Sequence, residues 1–170
     1  MLGRKFLIID FFIITFMLIT SHLLGTLILG KALSVETPEL YVALLAGVGV
    51  DVDHVFINRK WVQDIRDFLR ERKITYGTTQ HSWLQEIMFG TFAGIIIGFL
   101  ISSFWPPVRW WIFPVFLLSH IVLDSVMRYE HQPLVPLSRF KYWGWIHSGT
   151  KVEFFISSFG LVAFLFFFYT

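Results

Sequence analysis

Nine ionisable side chains lie within or at the edges of apolar stretches of this chain: His22, Asp51, Asp53, His54, His81, Glu86, His120, Asp124 and Glu153. A charge surrounded by hydrocarbon is costly, so such residues are by default functional. His120 and Asp124 stand four apart, which on a helix gives them one face and Cβ atoms about 5–6 Å apart. That separation suits two ligands of one cation. Imidazole and carboxylate donors together favour zinc, iron or manganese over calcium or magnesium. The chain has no cysteine, which excludes thiolate sites and disulfides alike. The donors outnumber the four of a closed zinc site, which points to an open catalytic site or a pair of metals. Metals of this class bring the pKa of water down to about 7, the chemistry of hydrolysis at neutral pH.

Each residue also has a plainer reading. His22 alone is a hydrogen-bonded packing residue, and His120 with Asp124 is a polar pair that joins helices. Glu153 favours a helix N-terminus, where negative charge is stabilised. Glu86 faces either the cluster or a neighbouring helix. His131 and His147 fall in a polar stretch and read as solvated. Asp10, close to Arg4 and Lys5, reads as interfacial.

The elements that must position these groups are apolar. Hydrophobic residues make up 55% of the 170 residues and charged ones 15%, too few to cover a water-facing surface when soluble domains carry about 25%. Apolar runs over 6–30, 87–105 and 152–169 approach or exceed the ~20 residues that cross a bilayer core. The expected fold is a single domain over 1–170, an all-α integral membrane bundle of about five segments. These are 6–33, 39–50, 82–104, 110–127 and the C-terminal stretch from Val152. The second has a dozen residues, about 18 Å of helix, too short to cross alone. Pro38 marks its start. Equal distances from a turn near Glu36 put His22 level with Asp51 and Asp53 in an antiparallel hairpin.

Orientation follows from basic residues, which concentrate in cytoplasmic loops. With five alternating segments and the N-terminus inside, twelve of the fourteen Lys and Arg residues fall inside, and only Lys31 and Arg109 fall outside. Trp105, Trp110 and Trp111 then mark the outer interface, and Trp143 and Trp145 the inner one. The first apolar run is too long for a signal-peptide core and is read as a retained helix. With a net charge of only +2 and no interleaving of basic and aromatic residues, no nucleic-acid partner is expected.

His22-Leu-Leu-Gly, Asp51-Val-Asp53-His54, Gln80-His81-Ser82, His120-x-x-x-Asp124, the stretch from Pro133 to Pro136, and Glu153 occur in an order that resembles the membrane-bound metal-dependent hydrolases, inner-membrane proteins of bacteria and archaea. The likeness spans roughly 21–153, and its most specific parts are Asp-x-Asp-His and His-x3-Asp. It implies a small helical membrane enzyme with a divalent metal. The chain departs from the pattern at Val50, where that family has Pro, and over Tyr76 to Gln80, where it often has a further His and an Arg-Gly. Its N-terminal extension is also longer. The ligand order is more distantly similar to zinc-dependent phospholipase C, which implies phosphate esters.

The expectation is therefore a hydrolase of the cytoplasmic membrane acting on a lipid or other phosphoester. His22, Asp53, His81, His120, Asp124 and Glu153 hold the metal, zinc first with iron or manganese as the other candidates. Asp51 and His54 act as catalytic or ligand-orienting groups. A metal or proton transporter and a non-catalytic membrane scaffold are the alternatives; the absence of repeated halves counts against a transporter.

Overall fold

The computed structural model describes residues 19–52, 83–127, 130–146 and 151–169, with the backbone alone described for 51, 52, 151–154 and 169. Asp53, His54 and His81 lie outside the described residues, as do the side chains of Asp51 and Glu153. Among the described residues there are five α-helices: α1 (19–32), α2 (Thr37–Gly47), α3 (Ile87–Phe104), α4 (Ile112–Ser125) and α5 (Lys151–Tyr169). Short 3₁₀ turns, Gly49–Val52 and Trp83–Gln85, follow α2 and precede α3. The expected all-α bundle is the observed one. The polar stretch before α5 adds a detail, a two-stranded antiparallel ribbon of β1 (Glu130–His131) and β2 (Tyr142–Trp143).

Local chemistry sets the helix ends. At the end of α1 the Val35 N–H bonds the Gly30 carbonyl and the Ser34 N–H bonds that of Lys31, with Ser34 at a left-handed φ of 51°. This is the Schellman pattern, which satisfies the last carbonyls of a helix. Two residues later α2 begins with a capping box between Glu36 and Glu39 and with Pro at its start, so the chain reverses within a few residues.

Helix α4 is the centre of the bundle. Its buried residues Ile112, Phe113, Phe116, Leu117, His120, Ile121 and Asp124 form a broad face that joins Val42, Ala43 and Ala46 of α2 in one core. Helix α3 touches α4 in a different way. Its buried residues are Gly90, Gly94 and Gly98, one stripe at four-residue spacing, which lets backbones approach closely without a bilayer-excluded core. A Cβ at Gly98 would run into the Trp110 carbonyl, and one at Gly90 into that of Leu84. Ile97 and Ile101 of α3 pack against the core, while Phe92, Ile96, Phe99, Leu100 and Phe104 are exposed. This is the one helix among the described residues long and apolar enough to cross a membrane.

Neighbouring contacts give the helix directions. Thr26 meets Gly47, so α1 and α2 are antiparallel, as the equal-distance argument requires. Arg109 meets Glu39 and His120 meets Gly47, so α2 and α4 run the same way. Thr20 pairs with Ser157 through their hydroxyls at 3.1 Å, and Lys31 lies over Phe168, so α5 runs parallel to α1. The five helices thus alternate in direction. One end of the bundle carries the 33–36 and 105–111 turns with Trp105, Trp110 and Trp111. The other carries both 3₁₀ turns, the ribbon and the start of α5.

Candidate metal centre

On α1 the buried residues His22, Thr26 and Gly30 follow one another at four-residue spacing, a single stripe turned toward α2 and α4. A glycine on α2 lets this stripe come close. Gly30 faces Phe116, and at Gly47 a Cβ would collide with the Thr26 hydroxyl. His22 is thereby carried up to His120 and Asp124 on α4.

The three side chains form a compact group. His22 Nε2 lies 3.1 Å from Asp124 Oδ1, and His120 Nε2 lies 3.2 Å from Asp124 Oδ2. The imidazoles stack with centroids 4.1 Å apart and planes inclined by 24°. Relative exposures of 3% for His22, 1% for His120 and 8% for Asp124 place the group away from solvent. One ligand atom from each residue falls within 4.8 Å of the others.

Gly47 supplies the detail that gives this cluster its chemical sense. It is the last residue of α2, and the final carbonyls of a helix have no intrahelical donor. Its oxygen lies 3.1 Å from His120 Nδ1. A carbonyl oxygen only accepts, so Nδ1 carries the hydrogen, and in the neutral ring the Nε2 lone pair is turned toward the Asp124 carboxylate. Lone pair facing carboxylate at 3.2 Å is repulsive unless a proton or a metal cation lies between them. Ligating histidines usually donate their other N–H to a carbonyl or carboxylate in this way. Metal–ligand bonds of roughly 2.0–2.1 Å in a tetrahedron imply ligand separations of roughly 3.3 Å, close to the two nitrogen–oxygen distances found here. The donor set fits a divalent cation. Two His and one carboxylate occur in zinc hydrolase sites and, with the three on one face, in ferrous sites.

The other expected residues divide by placement. The backbone of Asp51 lies in the 3₁₀ turn Gly49–Val52 and that of Glu153 in the first turn of α5, both at the end of the bundle nearer the cluster. Asp53, His54 and His81 lie outside the described residues. His131 differs from its reading as a solvated residue: it is 4% exposed, with Nε2 3.3 Å from the Met127 carbonyl and its ring stacked on Tyr142 at 4.9 Å. Burial pushes its pKa down, partly offset by the Met127 carbonyl. Its pairing with Tyr142 across the ribbon, beside the Lys141–Glu130 ion pair at 2.7 Å, has no periodic signature in the sequence. Glu86 is also buried and accepts the Gln132 N–H at 2.8 Å.

With this geometry in view, the match of a family model described as YdjM inner membrane protein to residues 17–169 is decisive for kinship. The chain belongs to the YdjM inner membrane protein family. No curated protein and no solved structure matches it. Membership in the YdjM family accounts for the exposed apolar faces of α3 and α5 as surfaces against the inner-membrane bilayer. The family match covers all three residues of the buried His/Asp cluster.

Proposed function

We propose that this YdjM-family protein is a metal-dependent hydrolase of a lipid or other membrane-associated phosphoester. The observation that carries the reading is the Gly47–His120–Asp124 arrangement, in which a backbone carbonyl fixes the imidazole so that its other nitrogen is aimed at a buried carboxylate. His22, His120 and Asp124 hold the metal, with zinc first and iron or manganese as the other candidates. Asp53, His81 and Glu153 supply further ligands. When bound, such a cation makes water acidic enough to attack at neutral pH. Asp51 and His54 accept the proton of that water or orient the ligands. The N-terminus is inside, which puts this end of the bundle at the cytoplasmic leaflet.

Placement favours hydrolysis over transport. The cluster lies toward the end of the bundle that also carries the ribbon, and the chain lacks the related halves that frame a midplane transport site. The test is hydrolysis of phospholipids in mixed micelles by protein loaded in turn with zinc, iron(II) and manganese(II). Release of a phosphorylated headgroup or phosphate, abolished by chelation and by Asp124→Asn, is the expected result. Inert protein under all three metals would refute the reading.

A further inference from the structure

Glu86 ends the glycine stripe of α3, and its place there carries an inference that rests on the proposed phosphoester chemistry. Gly90 faces Ile121 and Gly94 faces Leu117, so successive turns of α3 descend α4 turn by turn. The Gly90 N–H bonds the Glu86 carbonyl at 2.7 Å, which continues the helical pattern one turn further and sets Glu86 level with Ser125. Ser125 is the residue after Asp124. It also hydrogen-bonds Tyr142 of the ribbon. Glu86 therefore stands at the depth of the metal cluster, on the neighbouring helix, under the ribbon.

Its surroundings are those of a carboxyl that keeps its proton. Glu86 is 4% exposed and makes no capping bond to its own helix. Among the described residues its carboxyl has one hydrogen-bond partner, the Gln132 N–H, where an ionised carboxylate has about four acceptor sites to fill. Among the described residues the titratable group that feels it is Tyr142 of the ribbon, which is not a cation. Burial raises its pKa, opposed only by the Gln132 bond.

Phosphodiester hydrolysis moves two protons. The attacking water loses one as its oxygen bonds to phosphorus, and the departing ester oxygen takes one as its P–O bond breaks. In the proposed function Asp51 or His54 accepts the first. We propose that Glu86 is the general acid that delivers the second, protonating the alkoxide leaving group of a lipid ester. Glu86 afterwards regains a proton from solvent, the base returns its own, and one water is consumed per bond cleaved. A buried acid working with a separate base is a recurrent way to divide such roles.

Two readouts test this, one of them independent of turnover. The first is the infrared difference spectrum of wild type against Glu86→Gln at neutral pH; glutamine keeps the acceptor for Gln132. A protonated-carboxyl C=O band lost in the variant is expected, and its absence overturns the inference. The second compares a phosphatidylglycerol micelle, whose leaving group is a poor alkoxide, with bis(p-nitrophenyl) phosphate, whose leaving group needs no acid. Metal-loaded E86Q is expected to retain its metal and lose about 100-fold or more on the lipid, with little change on the nitrophenyl ester. Equal losses on both overturn the acid role while leaving the metal reading intact. Wild type inert toward both overturns the phosphoester reading and the acid role with it. Glu86→Asp, which keeps an acid one methylene shorter, is expected to retain part of the lipid activity; full loss equal to E86Q on both probes counts against the role.

Discussion

The two ends of this bundle each bury a carboxylate, and they neutralise it by opposite means. At the end carrying the 33–36 and 105–111 turns, Glu39 is 3% exposed. Its Oε1 accepts both the Arg109 backbone N–H at 3.1 Å and Nε–H at 2.6 Å, and its Oε2 accepts the second guanidinium nitrogen. Arg109 also stacks over Trp111 at 4.6 Å. A guanidinium is always charged and its fork matches a carboxylate, so Glu39 is complete within the chain. At the other end, among the described residues, Asp124 meets two imidazoles. Imidazoles are titratable and are the commonest metal ligands, and one of them has its hydrogen committed to Gly47. One carboxylate is a structural clamp. The other has ligand-type partners, a donor set that could hold a metal cation.

Four expected outcomes break or sharpen that contrast. The largest is Arg109→Ala, which strands Glu39 in the protein interior without its cation. Thermal melting in detergent should fall by several degrees while metal content per folded chain is unchanged; loss of metal would mean that the two ends are not separable. Next is Gly98→Ala, which forces α3 away from the Trp110 carbonyl at the clamp end. Overpacking of this kind costs about 1–3 kcal/mol, read by chemical denaturation, again with metal affinity retained.

Gly47→Ala should do the reverse. It displaces Thr26 and with it the α1 stripe and the carbonyl that holds His120. Metal affinity measured by competition with a chromophoric chelator should drop about 10-fold or more, beyond an overpacking cost of the same order as at Gly98. The smallest effect is in pH. Because burial holds the Glu86 pKa above its ordinary 4.5, the folded state binds more protons than the unfolded one between those values. The stabilisation is full below the ordinary value and is lost as pH rises through the raised one. Wild type should therefore lose stability relative to E86Q across that interval, in melting curves taken from acid to neutral pH.

Much of this architecture was legible in the sequence, for reasons specific to each part. Long apolar runs and the Thr37-Pro38-Glu39 start placed the helices, since bilayer thickness and proline geometry leave few alternatives. The i,i+4 spacing of His120 and Asp124 placed two groups of the cluster on one face. The hairpin distance that aligned His22 with Asp51 also aligns Thr26 with Gly47, where the contact is found. Partnership across helices was not legible. Nothing local in the sequence indicates that Gly47 presents a carbonyl to His120, because that contact depends on where α2 stops and how closely α1 approaches. Neither could His131 be read as buried, since its shelter is a ribbon formed with Tyr142 eleven residues away. The Arg109–Glu39 clamp was missed for the same reason: its partners are joined only when the 105–111 turn folds over the start of α2.

The central claim is that the His22, His120 and Asp124 cluster is a metal centre, and elemental analysis of detergent-purified protein tests it directly, with wild type beside His120→Ala/Asp124→Ala. The account predicts at least one zinc, iron or manganese per wild-type chain and none in the double variant. Wild type that stays metal-free after reconstitution with each ion in turn would contradict it and leave the cluster as a polar contact between helices.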